Sequence, residues 1–364
     1  MRVLHLCATL GVGGAERILV DLARHTAEQG HQVAVAASSG PLEDELLSAG
    51  IACHPVPAHG RSASGAVATA VVVARVLHSF RPDVVHAHNP RMTAVAVAAR
   101  RLCRGVDAPV LAVFHGGDAA DDRAASLLLR RADRLVCVED DLRTRMIASG
   151  CRADRIEVIV NCAAPALAPN HPLLADLDAE LGLTDPTVAV VGALSAGKAV
   201  DRFVSAAAIV AETVPEAQFL VVGEGPQRAQ LEQLVASSAL ESRVRFLGVR
   251  RDATAIIQRA TVVVSTSRGE GLSMTALEAL GAGTPLIAPD VGGMRRLLGS
   301  GAGVLLVDTE PATVAAAITQ VLRSPEDRDV MRERGQALIA TAHDQRQMFD
   351  RYEAIYAELA TPRA

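Results

Sequence analysis

The chain has 364 residues, half of them apolar, with 21% charged side chains, 28 glycines and a formal net charge of −5. That length and composition predict a globular protein of two domains with large cores. Through Pro165 there are 18 arginines against 17 acids, a balance of +1, and the remainder has 18 basic residues against 24 acids, a balance of −6, so neither part has the basic excess of a nucleic-acid binder. The six cysteines are scattered without C-x-x-C spacing or a His partner cluster, which predicts a reducing compartment, no structural zinc and no disulfide framework. The amino terminus runs directly into an apolar strand, so no signal peptide is expected. The apolar run Ala66 to Leu77 is far shorter than the ~20 residues of a membrane span and contains Arg75, so it reads as a buried helix.

In chain order, Val3 to Cys7 reads as a short strand, then the turn Gly11-Val12-Gly13-Gly14-Ala15-Glu16-Arg17, a helix to about Gln29 and a strand from Gln32 to Ala37. The turn resembles G-x-G-x-x-G, but Glu16 stands at the third glycine and no acid ends the second strand, which argues against a nicotinamide dinucleotide. The glycines still allow backbone N–H groups to approach an anion. Further strands are expected at Ala52–Val56, Val84–His88, Val110–His115, Arg134–Val138 and Ile156–Val160, with helices between them, as in a doubly wound parallel sheet. Two of these strands end in His86-Ala87-His88-Asn89 and His115-Gly116-Gly117-Asp118, and strand carboxyl ends line the crevice of such a sheet. His86 reads equally well as a core histidine, whereas His115, followed by two glycines, is the better functional candidate.

Pro165, Pro169, Pro172 and Pro186 punctuate a stretch that reads as a connection between domains. A second alternating series begins at Thr187, with strands at Val188–Val191, Gln218–Val222, Val244–Leu247, Val262–Val264 and Gly303–Val307. A last helix, about Gln345 to Leu359, puts Met348, Phe349, Tyr352, Ile355, Tyr356 and Leu359 on one stripe, and it holds both tyrosines of the chain.

Two features carry chemistry. Lys198 is the only lysine among 36 basic residues, and it follows the strand-loop Gly192 to Gly197 at a helix amino terminus, where an anion is favoured. The spacing mimics a phosphate-binding loop, but Ala199 replaces the hydroxyl residue that would hold magnesium. The stretch Thr261 to Gly293 runs from a strand through a turn into an apolar helix whose one charge is Glu278, with Glu270 on the loop before it. A carboxylate amid Leu277, Ala279 and Leu280 is costly unless something hydrogen-bonds to it.

Together these segments resemble the family-4 retaining glycosyltransferases of the GT-B architecture over nearly the whole chain. The carriers are Gly13-Gly14-Ala15-Glu16-Arg17, Asp83 to His88, His115-Gly116, Asn161, Gly192 with Lys198, Val222 to Pro226, Phe246-Leu247-Gly248, and above all the E-x7-E pair Glu270 and Glu278. The resemblance implies an α/β fold of two Rossmann-like doubly wound domains facing a central cleft. Residues 1–165 would bind the acceptor, 166–344 the nucleotide sugar, and the helix at 345–364 would pack back on the first domain. It implies transfer of a sugar from a nucleotide-diphosphate sugar, with UDP or GDP as carrier, to a hydroxyl acceptor, with retention and no metal or further cofactor. His115, Glu270 and Lys198 would be the catalytic residues. Gly13, Gly14, Lys198, Gly223, Val249, Arg250, Gly271, Leu272, Ser273 and Glu278 would hold the donor. Glu278 would take the ribose hydroxyls, Glu270 the donor sugar and Lys198 the diphosphate, with His115 beside the sugar from across the cleft.

The family usually carries Arg at position 193, an acid at 197, an Asn-Gly-Val-Asp turn at 161–164 and an acid at 296; here these are Ala193, Gly197, Asn161-Cys162-Ala163-Ala164 and Arg296. A sugar-nucleotide-binding partner subunit without turnover, or a GT-B sugar-nucleotide epimerase, are the alternatives. The acceptor would meet the loops at Gly11–Arg17, Gly60–Ser64, His88–Thr93 and Asp118–Arg123. A cytoplasmic protein is expected, with peripheral contact at the inner face of the membrane left open.

Overall fold

The computed structural model describes residues 1–57, 63–103, 105–116, 122–163, 165–183 and 186–361. Most of the Gly60–Ser64 and Asp118–Arg123 loops, together with Gly117 and Ala164, lie outside these residues. The chain forms two compact units, Met1–Asn161 with Arg346–Ala364, and Cys162–Gln345.

The first unit alternates β1 (Arg2–Thr9), α1 (Gly14–Glu28), β2 (Gln32–Ser38), α2 (Glu43–Ser48), β3 (Ala52–Pro55), α3 (Ala63–Phe80), β4 (Val84–Ala87), α4 (Pro90–Leu102), β5 (Val110–Phe114), α5 (Asp122–Leu129), β6 (Arg134–Cys137), α6 (Asp140–Ala148) and β7 (Ile156–Val158). Its sheet is wholly parallel in the order β3-β2-β1-β4-β5-β6-β7. The second unit runs α7 (Pro172–Leu181), β8 (Thr187–Val191), α8 (Val200–Thr213), β9 (Gln218–Val222), α9 (Arg228–Ser237), β10 (Val244–Gly248), α10 (Ala253–Arg259), β11 (Val262–Val264), α11 (Met274–Ala282), β12 (Leu286–Pro289), α12 (Met294–Leu298), β13 (Gly303–Leu306), α13 (Pro311–Arg323) and α14 (Pro325–Ala342). Its sheet, β10-β9-β8-β11-β12-β13, is parallel and repeats the strand order of the first.

Parallel strands covered on both faces should be apolar without alternation, and they are: Val3, Leu4 and Leu6 of β1 and Val262 to Val264 of β11 are buried. In the second unit Phe203 of α8 meets Phe219 of β9 edge to face at 6.1 Å between ring centroids. The last helix, α15 (Gln345–Ala360), belongs to the first unit, where Met348, Phe349, Tyr352, Ile355 and Tyr356 are buried. Its register is held by Thr26, whose hydroxyl donates to Glu353 at 2.6 Å, and by an Arg351–Glu157 pair at 2.8 Å.

The structure differs from the sequence reading in the stretch taken as a connection. Pro172 opens α7 at its first turn, His171 caps it by accepting from the Leu173 amide at 3.2 Å, and Leu174, Leu177 and Leu181 are buried. Proline there starts a helix. In each sheet the strand order reverses once, between β1 and β4 and between β8 and β11. The carboxyl ends of those strands are where an open α/β sheet presents a ligand crevice.

Candidate functional site

In the second unit, β8 ends at Gly192 and β9 at Gly223, and the two turns lie against each other. The Gly192 amide donates to the Val222 carbonyl and the Leu194 amide to the Glu224 carbonyl, both at 2.9 Å. Gly223 has φ +136°, and a Cβ there would sit 1.9 Å from the Gly192 oxygen, so only glycine fits. The β8 loop then delivers Lys198 just before α8. Ala199, the residue between Lys198 and the helix, adopts the left-handed conformation at φ +48° and ψ 44°, which costs a non-glycine residue about 1 kcal/mol. Thr266, on the loop after β11, offers its hydroxyl to the Ala199 oxygen at 2.9 Å and the Lys198 oxygen at 3.1 Å.

That β11 loop supplies the acid. The Lys198 ammonium is ion-paired with the Oε1 of Glu270. The Ser267 hydroxyl donates to the same oxygen at 2.7 Å, and Ser265 lies 3.3 Å from Ser267. The Glu270 side chain is 12% exposed and that of Lys198 33%, so the pair is partly dry while the cation stays reachable. Gly292, at φ +54°, packs its backbone over this loop; a Cβ there would lie 2.4 Å from the Glu270 carbonyl oxygen. Gly271 and the buried Leu272 lead into α11, where Ser273 is the cap and accepts from the Ala276 amide at 3.4 Å. The Met274 and Thr275 amides have no intrahelical acceptor by position, so this helix mouth favours an anion. Glu278 lies one turn further along α11 and is half-buried. A small cavity is lined by Gly192, Lys198, Ser265, Thr266, Ser267, Glu270, Ser273 and Thr275, among others. One ammonium, one carboxylate, helix amides and five hydroxyl side chains at a switch point suit a phosphate joined to a polyol.

Other expected donor contacts are placed differently. Val249 is half-exposed after β10, at a strand carboxyl end. The Arg250 guanidinium is held by Glu180 at 2.6 and 2.9 Å and by Asp252 at 2.7 and 2.8 Å, which ties the turn after β10 to α7. These four bonds leave one N–H of the fork unused. Position 193, where a second cation was sought, is an exposed alanine, and Arg295 is ion-paired with Asp290.

In the first unit, Gly13 caps α1, and the carboxyl of Glu16 lies where a Gly13 Cβ would come within 2.4 Å of it. Burial raises the Glu16 carboxyl above its ordinary value. The helix mouth at Gly13-Gly14 is thus already faced by an acid of the chain. His115 follows β5; burial lowers it to about 4, and its enclosed Nε2 has no hydrogen-bond partner. It is a neutral imidazole at pH 7.

Beside it the strand register brings three more histidines together. His5 on β1 pairs in register with His86 on β4, and His88 follows just past the end of that strand. His5 Nδ1 lies 3.0 Å from His88 Nε2, and His86 Nδ1 lies 2.6 Å from the Tyr356 hydroxyl. Burial lowers His5 to about 3; burial, with the neighbouring histidines, holds His86 and His88 well below the ordinary value. The three could be taken for metal ligands. Their ligand atoms lie within 4.8 Å of one another, the His86 and His88 rings stack at 4.0 Å with 24° between planes, and His5 Nε2, His86 Nε2 and His88 Nδ1 have no hydrogen-bond partner. They form a neutral packed stack.

The sequence pattern of the family described as Glycosyl transferases group 1 matches residues 177–338, and that of Glycosyltransferase Family 4 matches residues 12–166. Over 283 residues the chain is 30% identical to the lipopolysaccharide core biosynthesis glycosyltransferase LpsD of Rhizobium meliloti (strain 1021), with 76% of each sequence covered. The chain belongs to the group 1 glycosyltransferases. This glycosyltransferase is also 27% identical over 297 residues to the alpha-D-kanosaminyltransferase of Streptomyces kanamyceticus, covering 76% of its own length and 77% of that relative. Its fold is that of Anabaena Alr3699/HepE, solved in complex with UDP and glucose, at a TM-score of 0.84 and 22% identity over 98% of this chain and 100% of that one. The GT-B fold expected from the sequence is therefore present in the glycosyltransferase. Thr266 and the left-handed Ala199 are features beside the Lys198–Glu270 pair that the sequence did not disclose, since neither a hydroxyl residue in a polar loop nor an alanine carries a signal of its own.

Proposed function

We propose that this glycosyltransferase uses a nucleotide-diphosphate sugar, with UDP or GDP as carrier, and transfers the sugar with retention to a hydroxyl acceptor. The observation that carries the reading is the pairing of the chain's single lysine with Glu270 at the β8/β11 switch point, beside the α11 helix mouth and one turn or so before Glu278. Lys198 takes the diphosphate: a unit charge ~4 Å from a phosphate oxygen is worth on the order of 4 kcal/mol at an effective dielectric near 20. Its ammonium and the α11 amides act most strongly as the glycosidic bond breaks and negative charge grows on the departing nucleotide. The diphosphate shares Lys198 with Glu270, which turns to the donor sugar, while Glu278 accepts hydrogen bonds from the ribose hydroxyls. His115, uncharged at neutral pH, is assigned a hydrogen-bonding role and not that of a cation.

Retention is assigned to an oxocarbenium-like transition state attacked on the leaving-group face, with Glu270 contacting the donor sugar and not bonding to it. A metal-independent reaction is supported by where the two D-x-D strings fall. Asp178 of Asp176-Leu177-Asp178 is in α7 and paired with Arg259, and Asp329 of Asp327-Arg328-Asp329 is in α14, 3.0 Å from Arg332. Neither is at a strand carboxyl end. No helix among the described residues is long and apolar enough to cross a membrane.

The experiment is incubation with UDP-, GDP- and ADP-sugars, following nucleotide release and the anomeric configuration of the freed sugar by proton NMR. Release with retained configuration, lost in Glu278→Ala and Lys198→Ala, is the expected result. Tight binding without release from any donor, even with acceptors added, would point to a partner subunit, and an epimerised donor to an epimerase.

A further inference from the structure

We propose that Thr266 is a positioning residue for Lys198, fixing where the ammonium meets the donor diphosphate; the inference rests on Lys198 being the diphosphate cation. Lys198 ends the loop Gly192-Ala193-Leu194-Ser195-Ala196-Gly197, whose first half is anchored by the buried Leu194 and by backbone bonds to the turn after β9, while Ala196 and Gly197 next to the lysine are exposed. At that exposed end the loop after β11 supplies the support. The Arg268 amide donates to the Gly197 carbonyl at 2.8 Å, and the Thr266 hydroxyl reaches the carbonyls of Lys198 and Ala199 at 3.1 and 2.9 Å. Thr266 is only 1% exposed, so its hydroxyl has no water to turn to.

The same loop holds both ends of the lysine: Thr266 grips its backbone, and Glu270 its ammonium. A diphosphate that recruits the ammonium loosens the Glu270 end. The Thr266 end then keeps the cation in place during transfer. The conformation of Ala199 gives the second line of support. At φ +48° an alanine is strained, and its carbonyl is held by the Thr266 hydroxyl at 2.9 Å together with the Arg202 amide at 3.1 Å. A left-handed Ala199 turns the chain sharply between Lys198 and α8, which sets the direction in which the lysine leaves the backbone.

The chain's single lysine makes the test direct, because protein grown with 13C-labelled lysine gives one side-chain Cε resonance, that of Lys198. The full-length chain would be compared with Thr266→Val, which keeps shape and loses the hydroxyl, with Thr266→Ser, and with Thr266→Val combined with Ala199→Gly. UDP, GDP and ADP would each be titrated, and kcat and KM measured for any donor turned over. In Thr266→Val the Lys198 resonance should move towards that of free lysine, nucleotide affinity should fall about tenfold, and kcat should fall more than KM rises. Thr266→Ser should stay within about twofold of the wild type, and Ala199→Gly should restore the Thr266→Val protein at least threefold, since glycine needs no hydroxyl to hold it left-handed. An unchanged lysine resonance in Thr266→Val, a Thr266→Ser as impaired as Thr266→Val, or a loss that follows the drop in melting temperature and ignores Ala199→Gly would each overturn the proposal. Should the wild type bind none of the three nucleotides, the donor reading fails by itself, and the lysine resonance still decides whether Thr266 places Lys198.

Discussion

Acidification should unfold the first unit well before ordinary carboxylate titration would. His5 and His115 have an ordinary value of 6.5, and burial lowers them to about 3 and about 4 in the folded chain. A lowered value means that the unfolded chain binds more protons, so stability is fully present above about pH 6.5 and is lost as the pH falls towards the folded values. At pH 5 each of the two contributes ~2 kcal/mol in favour of unfolding, ~4 kcal/mol together. His86 and His88, lowered by burial and by their neighbours, act in the same direction. Against a typical domain stability of ~5–15 kcal/mol that loss is large. The readout is built in: the chain has no tryptophan, and both tyrosines, Tyr352 and Tyr356, are buried on α15 against this unit. Urea unfolding followed by tyrosine emission should shift to lower midpoints between pH 7.5 and 5, and His115→Asn should recover ~2 kcal/mol of the difference. An unfolding free energy that stays flat or rises over that range would refute the argument, because the histidines would then be as easily protonated folded as unfolded.

Three further outcomes follow from the geometry. Glu270→Gln frees the Lys198 ammonium from its partner, so nucleoside diphosphate should bind about three- to tenfold tighter by calorimetry while sugar transfer falls, given a partly exposed pair worth roughly 1 kcal/mol. Gly223→Ala forces a Cβ against the Gly192 carbonyl at a φ of +136°, and should lower stability by about 2–4 kcal/mol in calorimetric melting, with the loss in the second unit. Tyr356→Phe strips His86 of its 2.6 Å partner and leaves a buried nitrogen unpaired, so chemical unfolding should report a loss of about 1–3 kcal/mol.

Most strands were legible because a doubly covered parallel sheet is written as apolar runs, and the runs at Val262–Val264 and Gln218–Val222 coincide with β11 and β9. Strand β12 and the helices α2, α7, α12 and α14 were not among the expected elements. In α7 the prolines read as breaks, although Pro172 occupies the one helical turn that tolerates it. In α14 the sequence is charged and has no broad apolar stripe. The helix approaches α11 through glycines instead, with Gly335 so close that a Cβ would lie 3.1 Å from the Leu280 oxygen. Lys198 stood out as the only lysine of the chain, and the structure pairs it with Glu270. The ion pair of Arg250 with Glu180 was not legible, because the two lie 70 positions apart. His5 was invisible for the same reason: only the β1/β4 register sets it beside His86.

The most direct test of the central claim is calorimetric titration of UDP, GDP and ADP into the wild-type chain, Lys198→Ala and Glu278→Ala. The account predicts that at least one nucleotide binds the wild type and that each substitution weakens it tenfold or more. Binding that survives both substitutions unchanged would place the donor elsewhere and contradict the account.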